Sequence, residues 1–499
     1  MSAALGSGTA RRVPLPTKLA YGFGAIAYGI KDNGFQVFLL LFYNQVVGLP
    51  ADTVGLAIMA ALFVDAFVDP AIGVLSDRTH SRWGRRHPWL YASAIPIALS
   101  WVLLWNPPSP DTMPTVVYLF LIAILVRTAI STNEVPSVAM VPELTRDYHE
   151  RTAVIRYRYL LGWAGGLVML MLAYGWLLAP PHGAPTGPLA PAGYRHFALL
   201  GAVIMFVSVI GSALGTHRRM AHTPQTRIHE ATLRETFRGI AHALGNRAFL
   251  ILMAAGIFAY VNQGISFAMS NYLLSFVWRF KPGDFLTYAV VLFAGVFAAF
   301  FIVTPIAHAL GKKGAAALLS VVSSFFATIP YWARLAGVFP RPGDAAMLPV
   351  FFLCVGLATG FGVCIMMLGG SMMADVVEAS EERTGRRDEG LFYAGFLFMQ
   401  KCTSGLGIFG ASLIIAFAGL PAQAVAGQVA EDILDRVMIG FAGATIVIGC
   451  VSALIFTRFP FGRAEHEARL AKLAVAASDN VPEKGGNPQI SGLVDSDLG

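Results

Sequence analysis

The sequence predicts an all-α membrane protein whose twelve transmembrane helices form two six-helix bundles. Three observations carry this expectation. The 499 residues are 56% hydrophobic and 13% charged, with mean hydropathy +0.62, which leaves too little polar surface for a soluble domain. Apolar runs of about 20 residues recur along the chain, separated by Gly, Pro and charge. One long polar stretch, 217–246, divides these runs six and six.

Taken in order, the spans are 18–46, 52–75, 88–106, 114–142, 152–179, 195–216, 247–278, 286–310, 315–336, 346–377, 390–419 and 433–457. Several exceed the length needed to cross, so they tilt or extend into the headgroups. Alternate loops carry the basic residues: SDRTHSRWGRRH, ELTRDYHERT, the stretch 217–246, GKKG and EERTGRRDE. The intervening loops, such as NPPSPDTMP, are nearly free of Lys and Arg. By the positive-inside rule both termini are cytoplasmic. The expected organisation is an N-terminal bundle (1–216), a cytoplasmic linker with amphipathic character (217–246), a C-terminal bundle (247–459) and a partly disordered cytoplasmic tail (460–499).

The net charge of +7 is spread over short loops, so it reports topology and excludes a nucleic-acid partner. The lipid bilayer is the expected surrounding partner. No cleaved signal peptide is expected at the N-terminus. Cys354, Cys364, Cys402 and Cys450 lie in apolar runs without CxxC spacing, so neither disulfides nor a metal site is expected.

Polar residues inside the spans are the candidate site, because an ionised Asp at the centre of a membrane helix costs roughly 2.5–3.5 kcal/mol on insertion scales. The first span holds Lys31 and Asp32 near its centre, to be satisfied by mutual pairing, by another helix or by a cavity. The second places Asp65 and Asp69 one turn apart on one face. They face an aqueous cavity, hold a cation between them, or divide their roles, Asp65 pairing across the bundle and Asp69 serving the backbone disturbed by Pro70. In the fourth span Arg127, Ser131 and Glu134 fall at i, i+4 and i+7, with Pro136 and Pro142 placed to kink or end the helix. Arg127 is positioned to neutralise Glu134 or an aspartate of the second span. The fifth span opens with Arg156 and Arg158, close enough to the cytoplasmic side to snorkel. Asn262, Ser266 and Ser270 form a stripe on the seventh, suited to a polyhydroxylated ligand or to bridging helices. Lys401 lies about three turns into the eleventh.

Five stretches, KLAYGFGAIAYGIKD, DAFVDPAIGVLSDRTHSRWGRRHPW, EVPSVAMVPELTRDYHERT, MADVVEASEERTG and MQKCTSG, resemble the melibiose permease-like family of glycoside, pentoside and hexuronide cation symporters. The resemblance covers all twelve spans. It implies the major facilitator superfamily fold, with substrate near the midplane between two bundles. It also implies a cation-coupling site at Asp65, Asp69 and Ser131, and a substrate-binding site at Lys31, Asp32, Glu134 and Arg158, with Lys401 between the two. Asn262 joins the candidate substrate site on its own spacing. Asp77, Arg78, Gly84, Arg85 and Arg86 resemble the superfamily loop that latches the cytoplasmic helix ends in the outward-facing state; orientation charges and lipid-headgroup contacts are the other readings. EERTGRRDEG, with Asp375 and Glu378, is the matching latch of the second half.

The sequence departs from the family pattern at four places. Val68 replaces an amide, Leu62 an arginine, and Val138 and Met366 two tryptophans. Sodium needs several oxygen ligands and a proton needs one carboxylate, so H+ is the expected ion, with Na+ at Asp65 and Asp69 as the alternative. Missing aromatic faces weigh against a galactoside and leave another glycoside, a uronate or a more lipophilic solute.

The expected function is secondary active symport of a sugar or glycoside-like solute with a cation by alternating access. No enzymatic activity and no cofactor are expected, and the protein is expected as a monomer in the bacterial inner membrane. A lysophospholipid-like solute is the alternative, suggested by the Met-rich CIMMLGGSMM. A remote alternative is an intramembrane prenyltransferase, since Asp65, Asp69 and Asp77 resemble an Asp-x-x-x-Asp magnesium site. Asp375 and Glu378 lack the spacing of its second acidic cluster.

Overall fold

The structure is a computed structural model that describes residues 13–108, 112–145, 147–178, 187–221, 244–384 and 389–461. Its long elements are helices. We number them α1 (15–47), α2 (Ala51–Asp77), α3 (His87–Leu104), α4 (Thr112–Ala139), α5 (Tyr148–Leu172), α6 (Pro191–Ala221), α7 (Arg247–Tyr272), α8 (282–310), α9 (312–335), α10 (Met347–Thr384), α11 (Glu389–Ala418) and α12 (Glu431–Phe456). Among the described residues, ten helices are long and apolar enough to cross a membrane. One of them, Pro282–Leu335, breaks at Gly311 and supplies both α8 and α9, and α1 completes the twelve.

Two elements differ from the expected spans. The GKKG stretch between 310 and 315 is not a loop: Gly311 alone breaks the helix, at φ 71°, a conformation only glycine adopts without strain, and Lys312 and Lys313 are already helical. The first span is not one α-helix but alternates α-helix (Leu15–Phe23, Ala25–Asn33, Leu39–Leu41) with π-turns (Gly34–Phe38, Phe42–Val47). Such π-turns recur at functional sites because they rotate the side chains that follow. α6 also continues past Thr216 to Ala221, into the stretch expected as linker; Arg218 and Arg219 in its last turn complement the helix dipole. The rest of the linker, the tail beyond 461 and 385–388 of the second latch lie outside the described residues.

Sequence chemistry explains the helix ends. Asn246 caps α7 by accepting from Ala248 N and Phe249 N, and Asp147 caps α5 by accepting from Glu150 N. α4 carries Pro136 inside it, ends at Ala139, and is followed by the single turn Val141–Leu144 with Pro142 in its first turn. Large apolar side chains such as Leu121, Val203, Phe300, Phe301, Leu353 and Phe417 are exposed on the outer faces, which fits a lipid surround.

The α2–α3 connection and the turn after α4 meet at one end of the first half, where Arg85 and Arg86 reach Glu143; this is called the basic end. The halves α1–α6 and α7–α12 are joined by hydrogen bonds toward the opposite end. Asn271 Nδ2 donates to Val37 O (3.0 Å), Tyr174 Oη donates to Asn271 Oδ1 (2.8 Å), and Tyr272 Oη donates to Asn44 Oδ1 (3.0 Å). Gln45 clasps the α11–α12 loop with both ends of its amide, donating to Pro421 O (3.0 Å) and accepting from Ala424 N (2.9 Å). A cleft of about 300 Å³ beside Asn44, Gly48, Asp52 and Leu420 lies along this seam.

Within the first half, α1 and α5 approach until their backbones touch. A Cβ on Gly29 would lie 2.0 Å from Gly162 O and 2.8 Å from Gly166 N. Backbone atoms have no rotamer to escape into, so Gly29→Val forces α1 and α5 apart. The expected loss is about 1–3 kcal/mol or more, read as a lowered unfolding midpoint in detergent; an unchanged midpoint would contradict the close approach.

Candidate functional site

The charged residues of the spans form one network of two neighbouring ion-pair groups, one around Asp65 and one around Glu134, built by α1, α2, α4, α5 and α11. Their helical spacing explains the grouping. Arg127 and Ser131, one turn apart on α4, both reach Asp65 of α2: Arg127 Nε donates to Asp65 Oδ2 and Ser131 Oγ to Asp65 Oδ1, each at 3.0 Å. Glu134, two turns beyond Arg127, points instead to α1 and α5. It takes Arg158 Nη2 at 3.3 Å and lies 3.9 Å from Lys31 Nζ, which pairs with Asp32 at 2.7 Å. From α11 Lys401 Nζ donates to Asp65 Oδ2 at 3.0 Å and also to Asp69 Oδ2, tying the halves together at mid-depth.

Four cations, Lys31, Arg127, Arg158 and Lys401, therefore face four carboxylates, Asp32, Asp65, Asp69 and Glu134, and the fully ionised network is neutral. Of the alternatives the sequence left open, Asp65 pairs across the bundle. Asp65 and Asp69 are not a bare like-charged pair, because Arg127 and Lys401 stand between and behind them and offset their repulsion. The two carboxylates are also inequivalent. The Asp65 side chain is 0% exposed, whereas Asp69 is 24% and Lys401 21% exposed. Asp69 Oδ1 is a buried atom without a hydrogen bond. A buried carboxylate oxygen lacking a donor is costly and is a natural place for a proton or an ion to enter.

Asp32, at 52%, and Glu134, at 29% exposure, remain accessible, while their partners Lys31 and Arg158 are buried. Arg158 is fixed from three sides: Nη1 donates to Ser137 Oγ (3.1 Å), the guanidinium lies 4.7 Å from the centre of the Tyr28 ring, and Nη2 holds Glu134. Tyr28 Oη donates in turn to Asn133 Oδ1 at 2.6 Å. Arg158 is thus a buried ion-pair member rather than a snorkelling residue. Tyr28, Asn133 and Ser137 escaped the sequence reading, although Ser137 sits one turn beyond Glu134 and Tyr28 one turn before Lys31.

Asn262 does not join this network. Its Nδ2 donates to Ser324 Oγ on α9 at 3.3 Å, and its Oδ1 is buried without a partner. The rotation of α7 decides this: Ser266 and Ser270 donate to their own helix at Asn262 O and Phe267 O, and it is Asn271 that reaches the other half. Of the two uses the sequence left open for this stripe, Asn262 bridges helices and the two serines bond within α7.

At the basic end Gly84 turns the α2–α3 connection at φ 83°, its carbonyl accepting from Ser81 Oγ at 2.7 Å. Arg85 reaches Glu143 at 3.0 Å, and Arg86 binds Asp77, Ser76 Oγ (2.8 Å) and Glu143 (3.3 Å). These bonds tie α2, α3 and the turn after α4 together within the first half. Arg78 ends α2 with its backbone N–H donating to Val74 O. The second half repeats the device: Lys312, at the start of α9, donates to both oxygens of Asp375 near the end of α10 at 2.6 and 2.8 Å. Glu378, one turn on, is exposed.

A family model described as MFS/sugar transport protein matches residues 20–463. The chain belongs to this family. It is a multi-pass membrane transporter and not an enzyme, which bears out the family resemblance read from the sequence. The chain is similar to the inner membrane symporter YicJ of Escherichia coli (strain K12), at 26% identity over 89% of this chain and 91% of that protein. It is also similar to the isoprimeverose transporter of Lactiplantibacillus pentosus, at 25% identity over 82% of each chain. The solved inward open structure of the xylose transporter XylE from E. coli shares the fold, with TM-score 0.58 and 15% identity over 91% of this chain and 98% of that chain.

Proposed function

We propose that this transporter is a cation-coupled symporter of a sugar or glycoside-like solute, and that the coupling ion is a proton. The observation that carries this reading is the neutral mid-membrane network in which Asp69 Oδ1 is left without a partner. Lys401 acts there as an internal cation shared by Asp65 and Asp69. A proton on Asp69 releases Lys401 to Asp65 alone, which loosens the tie between α2 and α11 and links ion binding to movement of the halves. Asp32 and Glu134 offer exposed carboxylate oxygens that accept hydrogen bonds from hydroxyl groups, with Lys31 and Arg158 behind them as fixed counter-ions.

The halves 1–216 and 247–459 move as the two bodies of alternating access, with 217–246 as linker and 460–499 as tail. With the basic end cytoplasmic, as the loop charges favour, both termini lie inside and the closed outer seam corresponds to a state facing the cytoplasm. The bonds of Asp77, Arg85 and Arg86 then brace the cytoplasmic helix ends. One chain supplies every member of the network, in keeping with action as a monomer. The names of the relatives, an inner membrane symporter and an isoprimeverose transporter, favour a bacterial inner membrane and a glycoside.

The test is uptake into proteoliposomes under an inward proton gradient, with a panel of glycosides, pentosides, uronates and lysophosphatidylcholine. At least one glycoside should accumulate and carry protons with it. Accumulation of the lysolipid alone would overturn the solute class. Uptake of every active solute without proton movement would overturn the coupling.

A further inference from the structure

The geometry points to Arg127 as the residue that determines which ion this transporter accepts: it holds Asp65 as a permanent counter-ion and leaves Asp69 as the single group that takes the coupling proton. This deepens the symport reading above and rests on it. Both oxygens of Asp65 are already engaged, Oδ2 by Arg127 and Lys401 and Oδ1 by Ser131, and the side chain is fully enclosed. Lys401 can move or exchange partners. Arg127 cannot neutralise itself, because a guanidinium stays protonated in proteins. It is also held in place, with its guanidinium 5.6 Å from the centre of the Phe35 ring. A metal ion that sought Asp65 would have to enter beside a fixed positive charge.

Asp69 differs in each respect. It is a quarter exposed, its Oδ2 meets Lys401 and its Oδ1 meets no donor. The charged groups that act on it are Lys401 on α11, Asp65 on its own helix and Arg127 on α4, with the Ser131 hydroxyl beside it; Cys402 faces Asp65 and Lys401, and Glu134, with Lys31 and Asp32 of α1, lies beyond Lys401. The adjacent Val68 supplies no oxygen. With Asp65 committed to Arg127, a sodium ion would find too few oxygen ligands, since hard cations take several; a proton needs only Asp69 Oδ1. Arg127 touches neither ion nor solute and acts through Asp65, so it is a positioning residue.

Sodium binding to the purified full chain reads this directly. The unfolding midpoint is measured in sodium chloride and in choline chloride at equal ionic strength. Wild type should give the same midpoint in both. Arg127→Gln, which removes the fixed positive charge from Asp65 and adds an amide oxygen beside it, should gain a saturable sodium-dependent rise, because a ligand that binds only the folded state stabilises it. Arg127→Lys should not gain it, and Asp65→Asn in the Arg127→Gln background should abolish it. A sodium response in wild type, or none in folded Arg127→Gln, overturns the inference.

Should Arg127→Gln fail to fold because it strands a buried charge, the doubly neutral Asp65→Asn/Arg127→Gln avoids that penalty. Infrared difference spectra between high and low pH then decide. The protonated-carboxyl band should persist in the double variant and be lost in Asp69→Asn; loss in the former or persistence in the latter overturns the inference. Neither readout uses a transported solute. Failure of uptake with every solute would sink the symport reading and leave these measurements standing.

Discussion

Asp69→Asn is expected to abolish accumulation of solute against a gradient while leaving solute exchange across the membrane intact. The amide is the neutral isostere of a protonated carboxyl, so the variant resembles the transporter with its proton permanently in place. Lys401 then pairs with Asp65 alone, an arrangement the network already contains. No buried charge is stranded, because Lys401 keeps one carboxylate and Asp65 keeps Arg127. The fold should therefore hold, with an unfolding midpoint close to wild type. Proton-driven uptake should fall about a hundredfold or more, equivalent to at least about 2.7 kcal/mol of lost coupling. Counterflow of labelled solute in the same vesicles separates the two effects. Full proton-driven accumulation by the variant would remove Asp69 from the coupling path.

Lys401→Met is expected to have the next largest effect, on stability as well as transport. The lysine joins α11 to both carboxylates of α2, and without it Asp69 has no counter-ion in contact. Breaking a fully buried pair costs about 3–5 kcal/mol, but Lys401 and Asp69 are a fifth to a quarter exposed, so about 1–3 kcal/mol is expected here. Asp69→Asn placed in the Lys401→Met background should restore much of the lost stability, since it removes the uncompensated carboxylate, and should restore no accumulation. A double-mutant cycle on unfolding midpoints measures this. Strict additivity of the two changes would show that Lys401 and Asp69 do not act as a pair.

These expectations depend on how much of the site sequence spacing can reach. Asp65 and Asp69 at i and i+4 must share a face, and Arg127, Ser131 and Glu134 at i, i+4 and i+7 must form a stripe, whatever the helices pack against. Spacing also made Arg127 a candidate partner for a second-span aspartate. It left open which aspartate, because the rotation of α2 against α4 belongs to packing between helices. Asn262, Ser266 and Ser270 illustrate the opposite outcome: the same kind of stripe on α7 turned toward its own helix and α9, while Asn271 made the cross-half contacts. The Lys312–Asp375 pair escaped because its members lie 63 residues apart and meet only when α9 packs beside α10.

By itself the sequence determined the membrane class, the alternation of basic and non-basic loops, the division into six and six spans, and the set of ionisable residues that must be satisfied inside them. Those follow from local properties: transfer free energy sums along a helix, and helical periodicity fixes which residues share a face. Tertiary structure decided that Asp65 is sealed by Arg127 while Asp69 stays accessible, and that Lys401 bridges them across the two halves. It also brought α1 and α5 into backbone contact at Gly29 and excluded Asn262 from the network. Those outcomes depend on which helix faces which and at what rotation, and that is set by the packing of all twelve together.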